Sequence, residues 1–188
     1  HEGILLSDRV FGGADTKATS KTLASAINKI GKFDLIIAGE KTVDGDTGQV
    51  GPEIAEFLDI PHISYVEKIE DINEENMLVQ CELWGGTYLK KVQFPALITV
   101  TKDINEPRLP TFKSKMKARK AEITLWGIEE LKKFLALEEA GFKGSPTKVK
   151  KIEVPSSVKR EGKLFRENTN EGLEEIITAL EDKKVLEV

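Results

Sequence analysis

The chain has 188 residues, 39 % hydrophobic and 32 % charged, with a net charge of −4. That balance suits a folded domain and supplies no bulk positive field for nucleic acid. The single cysteine, Cys81, excludes an internal disulfide and a multi-cysteine metal site. No apolar run approaches the roughly 20 residues of a membrane span, and the spacing shows no signal peptide. A reducing, cytoplasmic setting is expected. The chain opens on His1, directly before a strand-like run, so a further segment is expected to precede it.

Ile4 to Ser7 (ILLS) reads as a buried strand. A loop with Gly12 and Gly13 follows, and Asp15 is placed to cap a helix running to about Ile30 and stopped by Gly31. Asp15, Thr16 and Thr19 offer polar atoms at that helix start, where capping is an equal alternative for Asp15. Phe33 to Leu58 repeats the strand–glycine loop–helix pattern. Two such units in a row predict parallel strands joined by right-handed crossovers. Both loops then lie at the carboxyl edge of one sheet and face a shared ligand.

The second loop, AGEKTVDGDTGQVGP, spans Ala38 to Pro52. Gly39, Gly45, Gly48 and Gly51 admit positive φ and close approach of a ligand to the backbone. Pro52 suits a first helical turn, and a helix start presents free N–H groups to phosphate. Thr47 and Gln49 add side-chain donors, and Ala38 and Val50 bound the loop. The spacing is neither a P-loop nor a G-x-G-x-x-G fingerprint. It is read as a phosphate-cradling loop. Asp44 and Asp46 repel phosphate, so they either bond backbone N–H groups, ribose hydroxyls or a ring edge, or simply form turns.

Ile60 to Val66 is a third short strand, and Met77 to Phe94 is a hairpin turning on Gly85-Gly86. Ala96 to Val100 is a buried strand. His62 and Cys81 read as ordinary strand residues. Pro107 and Pro110 block regular structure, leaving Arg108 and an exposed Phe112 in a loop without period, beside Lys113, Lys115, Lys117, Arg119 and Lys120. An apolar anchor beside positive charge fits docking to an acidic protein. Ile123 to Trp126 is a short strand and Gly127 to Glu139 a helix. Gly141 to Pro146 marks a boundary: residues 1–144 form the α/β domain, and 145–188 a charged arm ending in an amphipathic helix near Glu171 to Glu181.

Three stretches, SDRVFGGADTKATSKTLA, VDGDTGQVGPEIAEFLDIP and INEPRLPTFKSKMKARKAEI, resemble the beta subunit of electron-transfer flavoprotein, in the family's order. The resemblance implies a Rossmann-like parallel sheet of the adenine-nucleotide α-hydrolase type, with an antiparallel hairpin and an extended C-terminal arm. It implies that the family's N-terminal strands, which complete the sheet and part of the nucleotide site, are outside this sequence. It implies pairing with an alpha subunit that carries the electron-transferring FAD, and AMP or a second FAD in this subunit, held by Asp44 to Gly51 with Asp15, Thr16 and Thr19 near it. DRVFGGADTKATS is more like the microbial, electron-bifurcating branch, in which NADH and ferredoxin are further partners. The proline-flanked stretch resembles the loop that docks acyl-CoA dehydrogenases. Phe112 stands where the family has leucine, and Lys117 and Lys120 match lysines beside it. On this reading the chain is an electron-carrier subunit, oxidoreductase only within a complex, with no acid–base residue and no metal of its own. The alternative is a non-redox adenine-nucleotide-binding regulatory module.

Overall fold

A computed structural model of the chain describes residues 2–151, 153, 164 and 169–183, with the side chain of residue 171 outside that set. Two compact units result, His1–Val149 and Lys150–Val188. The first therefore runs five residues past the expected boundary at Gly144.

In the first unit a short strand, β1 (Ile4–Leu6), leads through a 3-10 turn at Arg9–Phe11 into helix α1 (Thr16–Ile30). Asp15 caps α1 by accepting from the Ala18 N–H at 3.0 Å, and Gly31, at φ 104°, ends it. Strand β2 (Leu35–Gly39) and helix α2 (Val50–Leu58) form the second unit of the repeat. Then come β3 (His62–Ile72), β4 (Asn76–Leu83), β5 (Gly86–Gln93) and β6 (Ala96–Val100). The five strands β2 to β6 make one sheet in the order β2-β6-β3-β4-β5. β6 is parallel to both β2 and β3, while β3, β4 and β5 form an antiparallel meander.

The core follows from alternation. Ile98 and Ala96 on β6 join Val66, Met77, Val79, Cys81 and Val92 on one face of the sheet. Leu97 points the other way, into Ala24, Ile54 and Ala55 of α1 and α2. Gly51 in the first turn of α2 leaves no room for a Cβ against the Thr99 methyl group, so helix and sheet meet at backbone distance there.

Several elements depart from expectation. β1 is not in the sheet of β2: it pairs in parallel with β7 (Thr124–Trp126), Ile4 opposite Thr124. β1 is not buried either, with Leu5 53 % exposed. An apolar run specifies a strand, but its neighbour is chosen by contacts far apart in sequence. The hairpin turns on Trp84-Gly85, with Gly86 already in β5. Phe112 opens a helix, α3 (Phe112–Arg119), capped by the Thr111 hydroxyl. α3 buries no residue, so it carries no apolar period for a sequence reading to detect, while Lys, Met, Ala and Arg favour helix intrinsically. The expected helix from Gly127 to Glu139 is broken into α4 (Ile128–Leu131) and a 3-10 turn at Leu137–Glu139, followed by α5 (Gly141–Gly144). In the second unit, α6 (Thr169–Asp182) brackets the expected amphipathic helix and leaves Leu173, Ile176 and Ile177 exposed.

Candidate functional site

The loop of residues 40–49 leaves β2 at the carboxyl end of the three parallel strands, where open α/β sheets bind ligands. Its base is fixed by the Glu40 N–H, which donates to the Val100 carbonyl at 3.0 Å. Thr42 then organises the turn. Its carbonyl accepts from the Asp46 N–H at 2.9 Å, and its hydroxyl accepts from the Gly45 N–H at 3.3 Å. A side-chain hydrogen bond to Thr42, then backbone N–H groups at Asp44 and Gly45, hold the Asp44 carboxyl below its ordinary value. Asp46, at φ 51°, is paired with Lys41. Both aspartates are thus spent inside the loop, in the turn-forming role that residue type alone left as one alternative.

Beyond Asp46 the chain opens toward α2. The Thr47 hydroxyl accepts from the Gln49 N–H at 3.5 Å, and Gly48 adopts φ 65°. Gln49 makes no side-chain cap bond at the start of α2. The N–H groups of Gly48, Val50 and Gly51 find no acceptor among the described residues. A bare α2 start beside inward-tied carboxylates is an electrostatic environment into which a phosphate fits.

α1 begins beside this point. The Thr16 hydroxyl reaches both the Gln49 amide oxygen, at 3.4 Å, and a Glu53 carboxylate oxygen, at 3.1 Å. The other Glu53 oxygen accepts from the buried Ser20 hydroxyl at 2.9 Å. Glu53 therefore clamps the two helix starts together.

Asp15 and Thr19 lie differently. Asp15 is fully engaged: one carboxylate oxygen caps α1, and the other accepts from the Thr147 N–H at 3.0 Å and the Thr147 hydroxyl at 2.9 Å. Partial desolvation opposes ionisation, but hydrogen bonds from Ala18 and Thr147 outweigh it and hold the carboxyl below its ordinary value. Thr19 lines a separate cavity of about 190 Å³ with Leu6, Phe11 and Leu23.

Sequence reasoning did not reach Tyr65 or Thr99. Tyr65 sits at φ 60° within β3, and its N–H donates to the Thr99 hydroxyl at 3.1 Å. A Cβ built on Gly48 would stand 2.8 Å from the Tyr65 hydroxyl, so the phenol forms a wall of the loop. Thr99 thereby touches both sides of the site, holding Tyr65 through its oxygen and Gly51 through its methyl group. No local pattern announces this, because the three residues meet only after β6 inserts between β2 and β3.

At the other candidate surface, Arg108, Phe112, Lys117 and Lys120 are all exposed, Phe112 by 81 %. Leu109, an apolar residue that sequence reading passed over, is equally bare. Among the described residues no cluster of His, Cys, Asp and Glu is placed to hold a metal, and no helix is long and apolar enough to cross a membrane.

Comparison with known proteins gives the family. Residues 1–131 match the family described as electron transfer flavoprotein domain. The chain belongs to this family. It is 40 % identical to the electron transfer flavoprotein subunit beta of Megasphaera elsdenii, over 98 % of this chain and 68 % of that protein. It is 39 % identical to the caffeyl-CoA reductase-Etf complex subunit CarD of Acetobacterium woodii, over 98 % of this chain and 70 % of that protein. Protein FixA of Azotobacter vinelandii is 36 % identical over 90 % of this chain and 62 % of its own length. These relatives identify an electron transfer flavoprotein beta subunit, and a mixed sheet with helices on one face is the α/β fold expected of it.

Proposed function

We propose that the loop of residues 38–51 and the start of α1 bind the phosphate-bearing part of an adenine nucleotide, AMP or FAD, and that the chain works with an alpha subunit to pass electrons to and from flavin dehydrogenases. The observation that carries this reading is the junction of the two helix starts through Thr16, Gln49 and Glu53. It sets the unpaired N–H groups of Gly48, Val50 and Gly51 beside a second helix N-terminus. Phosphate oxygens would accept from those N–H groups, with Thr47 and Gln49 as side-chain donors. A bound flavin would supply the redox step, while these residues supply position and electrostatics.

The exposed stretch Arg108 to Lys120 is the proposed docking surface for an acyl-CoA dehydrogenase or a similar flavin dehydrogenase, with Phe112 and Leu109 as apolar anchors and Lys117 and Lys120 steering encounter. The caffeyl-CoA reductase complex of one relative supports a partner of this class. NADH and ferredoxin enter if the subunit serves a bifurcating complex.

The deciding experiment is chemical. The chain is purified with its alpha subunit, denatured, and the released nucleotide identified. AMP or FAD in stoichiometric amount is the expected result, beyond the FAD of the alpha subunit. Absence of any adenine nucleotide from the beta subunit overturns the assignment.

A further inference from the structure

Among the described residues two aromatic side chains sit on a left-handed backbone, Trp84 at φ 48° and Tyr65 at φ 60°. A bulky residue at positive φ is an outlier that needs an explanation. For Trp84 the turn supplies it. That residue, 99 % exposed, holds the first central position of a two-residue hairpin turn, where both residues have positive φ and asparagine, aspartate or glycine is preferred. Tyr65 lies inside β3, where no turn accounts for its backbone.

The register of β3 against β6 locates the cause. Ile63 stands opposite Ile98 and Val66 opposite Val100, so Ser64 and Tyr65 together face Thr99 alone. This is a β-bulge, a feature rare between parallel strands and frequent beside functional sites, where it re-aims a side chain. Thr99 is buried, and its hydroxyl accepts from the Tyr65 N–H at 3.1 Å, in place of the ladder bond that the bulge gives up. The phenol is thereby turned out of the strand's alternation and over the glycine loop, where a Cβ on Gly48 would stand 2.8 Å from its hydroxyl.

Packing against Gly48 needs only a ring, so the hydroxyl is left over. Tyr65 is half-buried, and its O–H makes no hydrogen bond among the described residues, although a tyrosine O–H taken from water ordinarily finds a partner. It stands over Gly48, whose unpaired N–H opens the row continued by Val50 and Gly51. Lys41 is close enough to the phenol to interact with it, and its ammonium is already paired with Asp46. We infer that Tyr65 is a nucleotide-binding residue: its hydroxyl donates to a phosphate oxygen of the nucleotide held by residues 38–51, and the bulge braced by Thr99 aims it there. The inference rests on the nucleotide reading of that loop and adds a donor from β3, so that the phosphate is held from the sheet as well as from α2. A phosphate oxygen is favoured over a ribose hydroxyl or a base edge because the free N–H groups here are donors, and an anionic acceptor with several lone pairs satisfies them together with the phenol.

The test uses the full chain bound to its alpha subunit and dialysed free of the beta-subunit nucleotide, with AMP and adenosine as probes in titration calorimetry. Tyr65→Phe keeps the ring over Gly48 and removes only the hydroxyl. AMP affinity should fall at least about tenfold, the loss of one hydrogen bond to a charged group, while adenosine affinity is unchanged. In phosphorus NMR the phosphate of bound AMP should titrate at a higher pH in Tyr65→Phe, because a donor to the dianion is gone. Ring packing alone would not move that titration. Equal AMP affinity in Tyr65→Phe and the parent overturns the inference and leaves the nucleotide reading standing. An equal loss for AMP and adenosine also overturns it, since the phenol would then shape the pocket without touching phosphate. A parent complex that binds AMP no better than adenosine overturns the nucleotide reading and this inference with it.

Discussion

At the scale of single residues, backbone conformation separates positions that glycine must fill from positions that strain imposes. Gly48, at φ 65° with the Tyr65 hydroxyl leaning over it, is of the first kind. Gly48→Ala should destabilise the domain by about 1 kcal/mol through backbone strain, and should lower retained nucleotide. Adding Tyr65→Phe removes the hydroxyl but leaves the φ unfavourable, so denaturation midpoints of the single and double variants separate contact from strain. A Gly48→Ala complex of undiminished stability and nucleotide content would contradict the loop assignment. Trp84 is of the second kind. Trp84→Asn places a residue tolerant of positive φ in the turn and should raise stability by about 1 kcal/mol. Urea unfolding at constant m-value checks this, and a lower midpoint would mean that Trp84 packs in a way its exposure does not reveal.

At the scale of elements, the start of α1 depends on one carboxylate. Asp15 caps the helix and also ties down Thr147. Its folded value lies below the ordinary 3.8, so its contribution to stability is complete above that pH and is lost as pH falls through the lower, folded value. Asp15→Ala should cost about 1 kcal/mol at neutral pH. Asp15→Asn keeps a cap acceptor and should flatten the loss of stability in acid, which thermal melts from pH 5 downward, taken in parallel with the parent, will show. An unchanged acid profile would mean that other carboxylates govern that limb. Helix α3 behaves differently, since none of its residues is buried. Phe112→Ala should therefore leave stability within about 0.5 kcal/mol while slowing electron transfer to a dehydrogenase partner. Stopped-flow rates against several candidate dehydrogenases test this, and unchanged rates throughout would make the stretch ordinary surface.

At the scale of the whole molecule, the first unit extends to Val149 because residues past Gly144 are bonded back to it. Ser145 is buried, accepts from the Asp15 N–H at 2.8 Å and donates to the Gly141 carbonyl at 2.8 Å. Ending the chain after Val149 should leave the unit's stability unchanged. Ending it after Gly144 removes two Ser145 and two Thr147 bonds and should cost about 4 kcal/mol at roughly 1 kcal/mol per bond. Equal denaturation midpoints for the two truncations would restore the earlier boundary.

Local chemistry determined much of this protein without help from the fold. Asp15 and Gly31 bracket α1, VDGDTGQVGPEIAEFL is legible as loop then helix, and Ala96 to Val100 is a buried strand, because caps, glycine and apolar runs act within a few residues. Residues 7–24, 43–61 and 104–123 carried the family resemblance. Tertiary structure alone decided which strands pair. β1 joins β7, not β2, and β6 enters between β2 and β3, because hydrogen-bonding edges are interchangeable and only packing of distant side chains selects among them. It decided also that Asp15 ties down Thr147, and that Thr99 holds Tyr65 against the glycine loop. Those roles depend on which oxygen lies about 3 Å from which donor, a distance set by chain segments up to 132 residues apart.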